Sequence, residues 1–307
     1  MLSIVAHHVR WTEDVPPEPL LGVSFGLNTL QVILCALVAR GSREPELRPF
    51  AARRTRRLIR PWLVWSGVYI AVKILQSLRY GHPWDDQLNA GMWLVGGSFH
   101  LWFLPYGFAV SFLALGAKRL FRGERASAGA VICGAVGAAL QLFNRACEEA
   151  IRPPAPFDLW LDGLPAVGFG VAVGCALSVK SPARKCFLLL LISTFALLPL
   201  AVGGMIAATS DLWARYAVAV PLACVGFVVP FPEISTLRWL AERNMGVYVV
   251  HTLALQLIDR LDMLEGAGDA TRIASVYAAS VAMIFGTALA GGILKRLRRT
   301  RRPRGAP

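Results

Sequence analysis

The sequence predicts an all-α protein, a polytopic transmembrane helix bundle of about ten spans with both termini in the cytoplasm. Three observations lead there. Hydrophobic residues make up 55% of the 307 residues and charged ones 17%, with a mean hydropathy of +0.52; a soluble globular chain carries roughly 25% charged residues. Apolar stretches recur at the length that crosses a hydrocarbon core, about 20 residues of helix. Basic residues gather in alternate loops, the pattern left by retention of Lys and Arg on the cytoplasmic side.

Each element follows from these rules. The first nine residues, MLSIVAHHV, are apolar. At about 1.5 Å per residue they cover only some 13 Å, so they read as the outer end of a truncated first helix. No charged segment precedes them and no small-residue cleavage site follows, which argues against a signal peptide. Complete spans follow at 19–39, 61–78, 101–117, 126–144, 158–179, 186–208, 212–231, 236–258 and 273–294, bounded by charge, Pro or Gly. Together they form one domain over residues 1–294, with a basic cytoplasmic tail at 295–307. Short loops leave no room for a separate soluble domain.

A net charge of +13 would suggest nucleic acid as a partner for a soluble chain. Its distribution removes that reading. The loops 40–60, 118–125 and 180–185 and the tail from Lys295 hold 22 of the 32 basic residues. The opposite loops hold seven, together with fourteen of the nineteen acids. Most of the basic excess therefore sets topology and touches lipid headgroups. The expected location is the cell's inner membrane, crossed many times, with membrane lipids as neighbours. Six cysteines without CxxC spacing predict neither a metal site nor a disulfide framework. Gly170 and Gly174 have the GxxxG spacing of close helix packing.

Histidines and arginines supply the candidate chemistry. His7, His8, His100 and His251 fall within apolar segments, and His82 falls in a loop. Ionisable groups at membrane depth are costly and usually face an interior cavity. The topology puts these four toward the outer leaflet. They either share one site there or make interhelical hydrogen bonds that only fix packing. The run RRTRRLIRPW carries Arg53, Arg54, Arg56, Arg57 and Arg60 just before a proline suited to the first turn of a helix. The guanidinium fork matches phosphate oxygens, so a cytoplasmic phosphate-bearing ligand competes with simple headgroup anchoring. Trp62, Trp65, Trp160 and Trp213 lie near span ends, where an interfacial belt accounts for them.

Several stretches, in this order, resemble the integral-membrane acyltransferases of the acyltransferase 3 family. SIVAHHV is similar to the end of that family's first helix, and RRTRRLIRPWLVWSGVY to its basic approach to the third. HLWFLP and NMGVYVVHTL resemble its HLWFL segment and its late helix ending in histidine; LPAVGFGVAVG resembles an apolar stretch of the family. The resemblance implies transfer of an acyl group, acetyl or similar, from a cytoplasmic acyl-CoA to a hydroxyl of a cell-envelope glycan or glycolipid. It implies His8, with His7 as the alternative, as the catalytic base. It assigns His100, Trp102, His251 and Tyr248 to the acceptor side and Arg53, Arg54, Arg56, Arg57 and Arg60 to the coenzyme A phosphates, with no metal. The chain departs from the family pattern at Asn28, near an arginine position, and at Ala36 and Leu37, in place of Ser-Gly. A flippase for a lipid-linked saccharide and a catalytically silent bundle are the alternatives.

Overall fold

The computed structural model describes residues 4–5, 25–40, 46–81, 92–150, 157–204, 211–230, 232–261 and 268–300, and every described element is helical. In chain order these are α1 (Phe25–Ala39), α2 (Leu47–Arg54), a π turn (Thr55–Ile59), α3 (Arg60–Tyr80), α4 (Met92–Val95) and a 3-10 turn (Phe99–Trp102). Then follow α5 (Phe103–Leu120), α6 (Ala126–Ala150), α7 (Phe157–Ser178), α8 (Pro182–Gly204), α9 (Asp211–Val228), α10 (Ser235–Arg260) and α11 (Asp269–Thr300), with a short 3-10 turn before α6.

A helix stands at each of the nine complete apolar stretches. Among the described residues, five helical runs are long and apolar enough to cross a membrane, and four further helices carry shorter apolar stretches. Their outward faces are greasy: Leu75, Phe187 and Leu190 are each more than 60% exposed. Such a surface is matched to lipid tails, and helices satisfy their own backbone polar groups there. The protein is thus a multi-pass helical membrane protein. Ile4 and Val5 are helical, and the rest of MLSIVAHHV lies outside the described residues.

One expected loop is helical. Residues 47–59, read above as part of the 40–60 loop, continue without a break into α3. Alanine and arginine are strong helix formers, and Pro61 sits in the first turn of α3, where its missing N–H costs little. The run ends at Gly81, whose left-handed φ of 71° lets its N–H reach the Ser77 carbonyl at 2.9 Å.

The chain divides into two compact units, Pro19–Pro230 and a second made of Met1–Glu18 with Phe231–Pro307. In the first, α7 is the hub. A Cβ on Gly170 would stand 2.5 Å from Cys35 Cβ and 2.6 Å from the Val32 carbonyl oxygen, and one on Gly174 would stand 2.6 Å from Ala39 Cβ. These glycines bring α7 onto α1, as their GxxxG spacing implies. On the other side Gly168 meets Gly137 of α6, where an added Cβ would lie 2.7 Å from the glycine backbone. Pro165 within α7 cannot donate to the carbonyl four residues back, that of Leu161. Asn144 of α6 takes over, its Nδ2 donating to that oxygen at 2.7 Å, and Tyr216 of α9 donates to the next carbonyl, Asp162, also at 2.7 Å. Among the described residues Cys35, Cys133, Cys175, Cys186 and Cys224 are free thiols.

In the second unit α10 packs on α11. Gly246 faces Ile284, and Arg272 pairs with Asp259 at 3.0 Å. An apolar cluster of Ala254, Leu255, Ile258 and Val276 also holds Val5.

The α1–α7 contact yields a stability test. Gly170→Leu should destabilise the protein by about 2 kcal/mol or more through overpacking, whereas Gly67→Ala, with open space around it, should not. Thermal unfolding in detergent, compared between the two variants, reads the difference.

Candidate active site

The histidine of HLWFLP sits where regular helix geometry breaks. After α4 the chain reaches Gly96 at φ +97°, a left-handed conformation that glycine tolerates. A Cβ on Gly96 would stand 2.5 Å from Ser66 Oγ and 2.8 Å from Trp62 Nε1, and one on Gly97 would collide with the Ser66 carbonyl oxygen. Two successive glycines therefore lay this backbone directly on α3. Trp62 holds it there by donating its indole N–H to the Val95 carbonyl at 3.3 Å. Ser98 is extended, and the following 3-10 turn feeds α5.

That turn buries His100, which is 3% exposed. Its Nδ1 lies 2.9 Å from Ser98 Oγ. Its ring meets Tyr69 of α3 edge-on, with centroids 5.2 Å apart and planes at 79°. Tyr69 is eleven residues from Tyr80, about 16 Å along the helix. His100 is therefore level with the middle of α3, well away from the helix end that its place at the start of an apolar stretch suggests. Trp102 is buried beside it in sequence and starts an aromatic row, packing on Tyr106 at 5.3 Å, which in turn meets Trp160 at 5.8 Å. Gly163 makes room for the Tyr106 phenol, since a Cβ there would stand 2.6 Å from Oη. Tyr106 Oη and Trp160 Nε1 are buried and bond to none of the described residues.

The arginines lie on the helical run that leads into α3. The π turn that carries Arg56 and Arg57 ends at Ile59, two residues before Pro61. A proline cannot close the ordinary bond to residue i−4, and a wider turn accommodates its ring. Arg54 is half-buried with its guanidinium 5.2 Å from the Phe50 ring centre, and Phe50 meets Phe112 of α5 edge-on at 5.4 Å. Arg53, Arg56, Arg57 and Arg60 are exposed. Leu58, in the midst of them, faces Gly107 of α5. Gly107 is seven residues from His100, roughly 10 Å along the chain's axis. The helical run Leu47–Tyr80 thus carries Arg53, Arg54, Arg56, Arg57 and Arg60 and, further on, the tyrosine that packs on His100.

His251 belongs to the second unit and is fully buried in α10. Its Nδ1 lies 2.7 Å from the Tyr248 carbonyl oxygen, one turn back. A carbonyl only accepts, so Nδ1 carries the proton and, in the neutral ring, Nε2 carries the lone pair. The buried Tyr248 ring lies 5.9 Å from the imidazole. Ala254 and Leu255, one turn beyond His251, share their apolar cluster with Val5, two residues before His7. His7 and His8 lie outside the described residues.

A family model described as an acyltransferase domain, acyltransferase 3, matches residues 1–294. The chain belongs to the acyltransferase 3 family. It is therefore a membrane acyltransferase domain over nearly its whole length. No curated protein and no solved structure matches the chain.

In this acyltransferase His100, Trp102, Tyr248 and His251 are all buried, and the residues that support them were not singled out from the sequence. Ser98 and Tyr69 are such supports. The signal for Ser98 is the stretch GGSFH, a helix-breaking pair followed by a hydroxyl two residues before a histidine. Trp62 and Trp160 need correction: they pack against Val95 and Tyr106 respectively, so interfacial anchoring alone does not account for them. Trp62, half-buried, is bound by its indole N–H, the polar handle of the ring.

Ser98 is a positioning residue for His100. Ser98→Ala should lower kcat about tenfold with little change in KM and should move the pH profile of kcat, while Ser98→Thr keeps the wild-type profile. Steady-state rates of acyl transfer across pH check both.

Proposed function

We propose that this protein moves an acyl group, acetyl or similar, from a cytoplasmic acyl-CoA to a hydroxyl of a cell-envelope glycan or glycolipid at the inner membrane. The observation that carries the reading is the Leu47–Tyr80 run, which joins an arginine-rich segment to the ring packed on His100. Arginines at this spacing are suited to the phosphates of coenzyme A. His100 and His251 are imidazoles removed from solvent and oriented by defined hydrogen bonds, the arrangement expected of groups that orient an acceptor or a base.

In the proposed reaction the acceptor oxygen attacks the thioester carbonyl carbon. A new ester C–O bond forms and the C–S bond breaks. The base takes the hydroxyl proton, and the leaving thiolate takes a proton to become the free coenzyme A thiol. His8 is the proposed base, with His7 as the alternative, because imidazole exchanges protons near neutral pH. Val5, seated in the cluster with Ala254 and Leu255, brings the segment before these histidines to the helix that carries His251. Trp102 and Tyr248, each buried against another ring, shape the acceptor side.

Mass spectrometry of envelope glycans from cells with and without the protein identifies the acyl group and the acceptor together; no mass difference would overturn the proposal. His8→Ala, or His7→Ala if the alternative holds, should reduce acyl transfer by about a hundredfold or more, the usual scale for losing a general base. Arg56→Gln with Arg57→Gln should raise KM for acyl-CoA about tenfold and leave kcat within a factor of three, as loss of uniform binding does.

A further inference from the structure

The apolar stretch 61–78 of α3 contains a single charged side chain, Lys73. It stands four residues beyond Tyr69, about 6 Å further along the helix from the arginines than the ring packed on His100. At 3.6 residues per turn Ser66, Tyr69, Lys73 and Ser77 fall on one face. Ser66, Tyr69 and Ser77 are buried and Lys73 is half-buried, whereas Ile74, Leu75 and Leu78 on the other face are exposed. Lys73 therefore belongs to the inward side of α3, where an ionisable group at membrane depth usually serves a ligand or a partner.

Among the described residues Lys73 makes no ion pair. Ser77 is 5% exposed, and its hydroxyl bonds to none of them. That sets it apart within this protein. Ser111, Ser178, Ser193 and Ser280 each donate to the carbonyl four residues back, at 2.6 to 2.9 Å, which is how a helical serine is ordinarily satisfied. Ser66 also lacks a bond, but there the close seat of Gly96 against its oxygen accounts for the loss. No described glycine stands against Ser77 in that way.

Lys73 and Ser77 are one turn apart, so their side chains reach the same stretch of surface. An ammonium supplies three donors and no acceptor, and the hydroxyl adds a fourth. Donors left open at membrane depth are matched by one anionic oxygen group, a carboxylate or a phosphate. Snorkelling to the polar edge satisfies a lysine on a lipid face, yet this one lies on the buried face and some 10 Å from the helix end at Tyr80. The phosphates assigned to the arginine run are also out of reach, because Arg60 is thirteen residues away, roughly 20 Å along the helix.

We propose that Lys73 and Ser77 form an anion subsite that reads a carboxylate or phosphate borne on the saccharide acceptor, one turn of α3 beyond the ring packed on His100. The acceptor is then an acidic saccharide, and its charge fixes where the reacting hydroxyl sits. This rests on the reading of the acceptor as a glycan or glycolipid, and it asks nothing of the donor.

The test uses full-length protein in phosphatidylcholine nanodiscs, without acyl-CoA. Calorimetry compares three tetrasaccharides of one backbone: a glucuronic acid form, its carboxyl-reduced neutral counterpart, and that neutral form carrying a 6-phosphate. At least one charged form should bind about tenfold or more tighter than the neutral one. Lys73→Met should bring charged and neutral forms within about twofold, Lys73→Arg should keep most of the preference, and Ser77→Ala should reduce it about threefold. Lys73→Met sets an apolar side chain in an apolar span, so the fold tolerates it. Arg79→Gln removes an exposed charge from another face of the same helix and should change the preference by less than about twofold. Tighter binding of the glucuronate identifies a carboxylate site, and tighter binding of the phosphate form identifies a phosphate site. Binding of none of the three, equal binding of charged and neutral forms, or a preference that survives Lys73→Met overturns the proposal. Acyl transfer to the same saccharides is measured separately: a charge preference lost in Lys73→Met but unaccompanied by transfer would uphold the subsite and overturn the reading of the saccharide as acceptor.

Discussion

The larger unit depends on how closely α7 can approach its neighbours. Gly170 and Gly174 face α1, and Gly168 faces Gly137 of α6, so three helices meet backbone to backbone. Lipid tails are as apolar as leucine, and helices in a bilayer gain little by hiding greasy surface from them. Close packing and hydrogen bonds must then supply the association. This contact also sets the register of the helix ends. Because Gly174 lies against Ala39, the chain just past α1 and the chain just past α7 emerge side by side, with Arg40 and Lys180 among the residues around one hollow.

The same constraint governs the interruptions. A bilayer has no water to satisfy a carbonyl freed by proline, so a neighbouring side chain must do so. Asn144 and Tyr216 do this around Pro165. At Pro61 the backbone answers differently, by opening into a π turn. At Gly96 and Gly97 the helix stops altogether, and Trp62 binds the loose end through the Val95 carbonyl. Helix breaks at membrane depth commonly mark where a protein does something besides spanning, and here two of the three flank the candidate chemistry.

Much of this architecture was legible. Apolar length is a local property of sequence, so the helices stand at the stretches from 19–39 to 273–294. The GxxxG pair at Gly170 was legible too, because its consequence is steric and nearly independent of context. His100 was legible as a buried histidine. Its level along α3 was not, since that depends on two glycines yielding to Ser66, a contact between residues about thirty apart in the chain. The helical state of residues 47–59 was hidden by its charges. Basic residues mark a loop in topology arguments, yet arginine and alanine are good helix formers. Lys73 and Ser77 lie inside the apolar stretch 61–78 and carry no signal of their own there, because which face of a helix is buried depends on its neighbours.

The Leu47–Tyr80 run has a further mechanical meaning. Thirty-four residues at about 1.5 Å each make a rod of roughly 50 Å, against a hydrocarbon core of roughly 30 Å. The excess must project beyond the hydrocarbon or lean across it, and the arginines occupy that end. With no loop between Arg53 and Tyr69, the rod works as a lever. The arginine-bearing end and the Tyr69 ring packed on His100 belong to one continuous helical run, so a displacement of the first is carried to the second through helix, with the π turn at Thr55–Ile59 as the irregular turn between them.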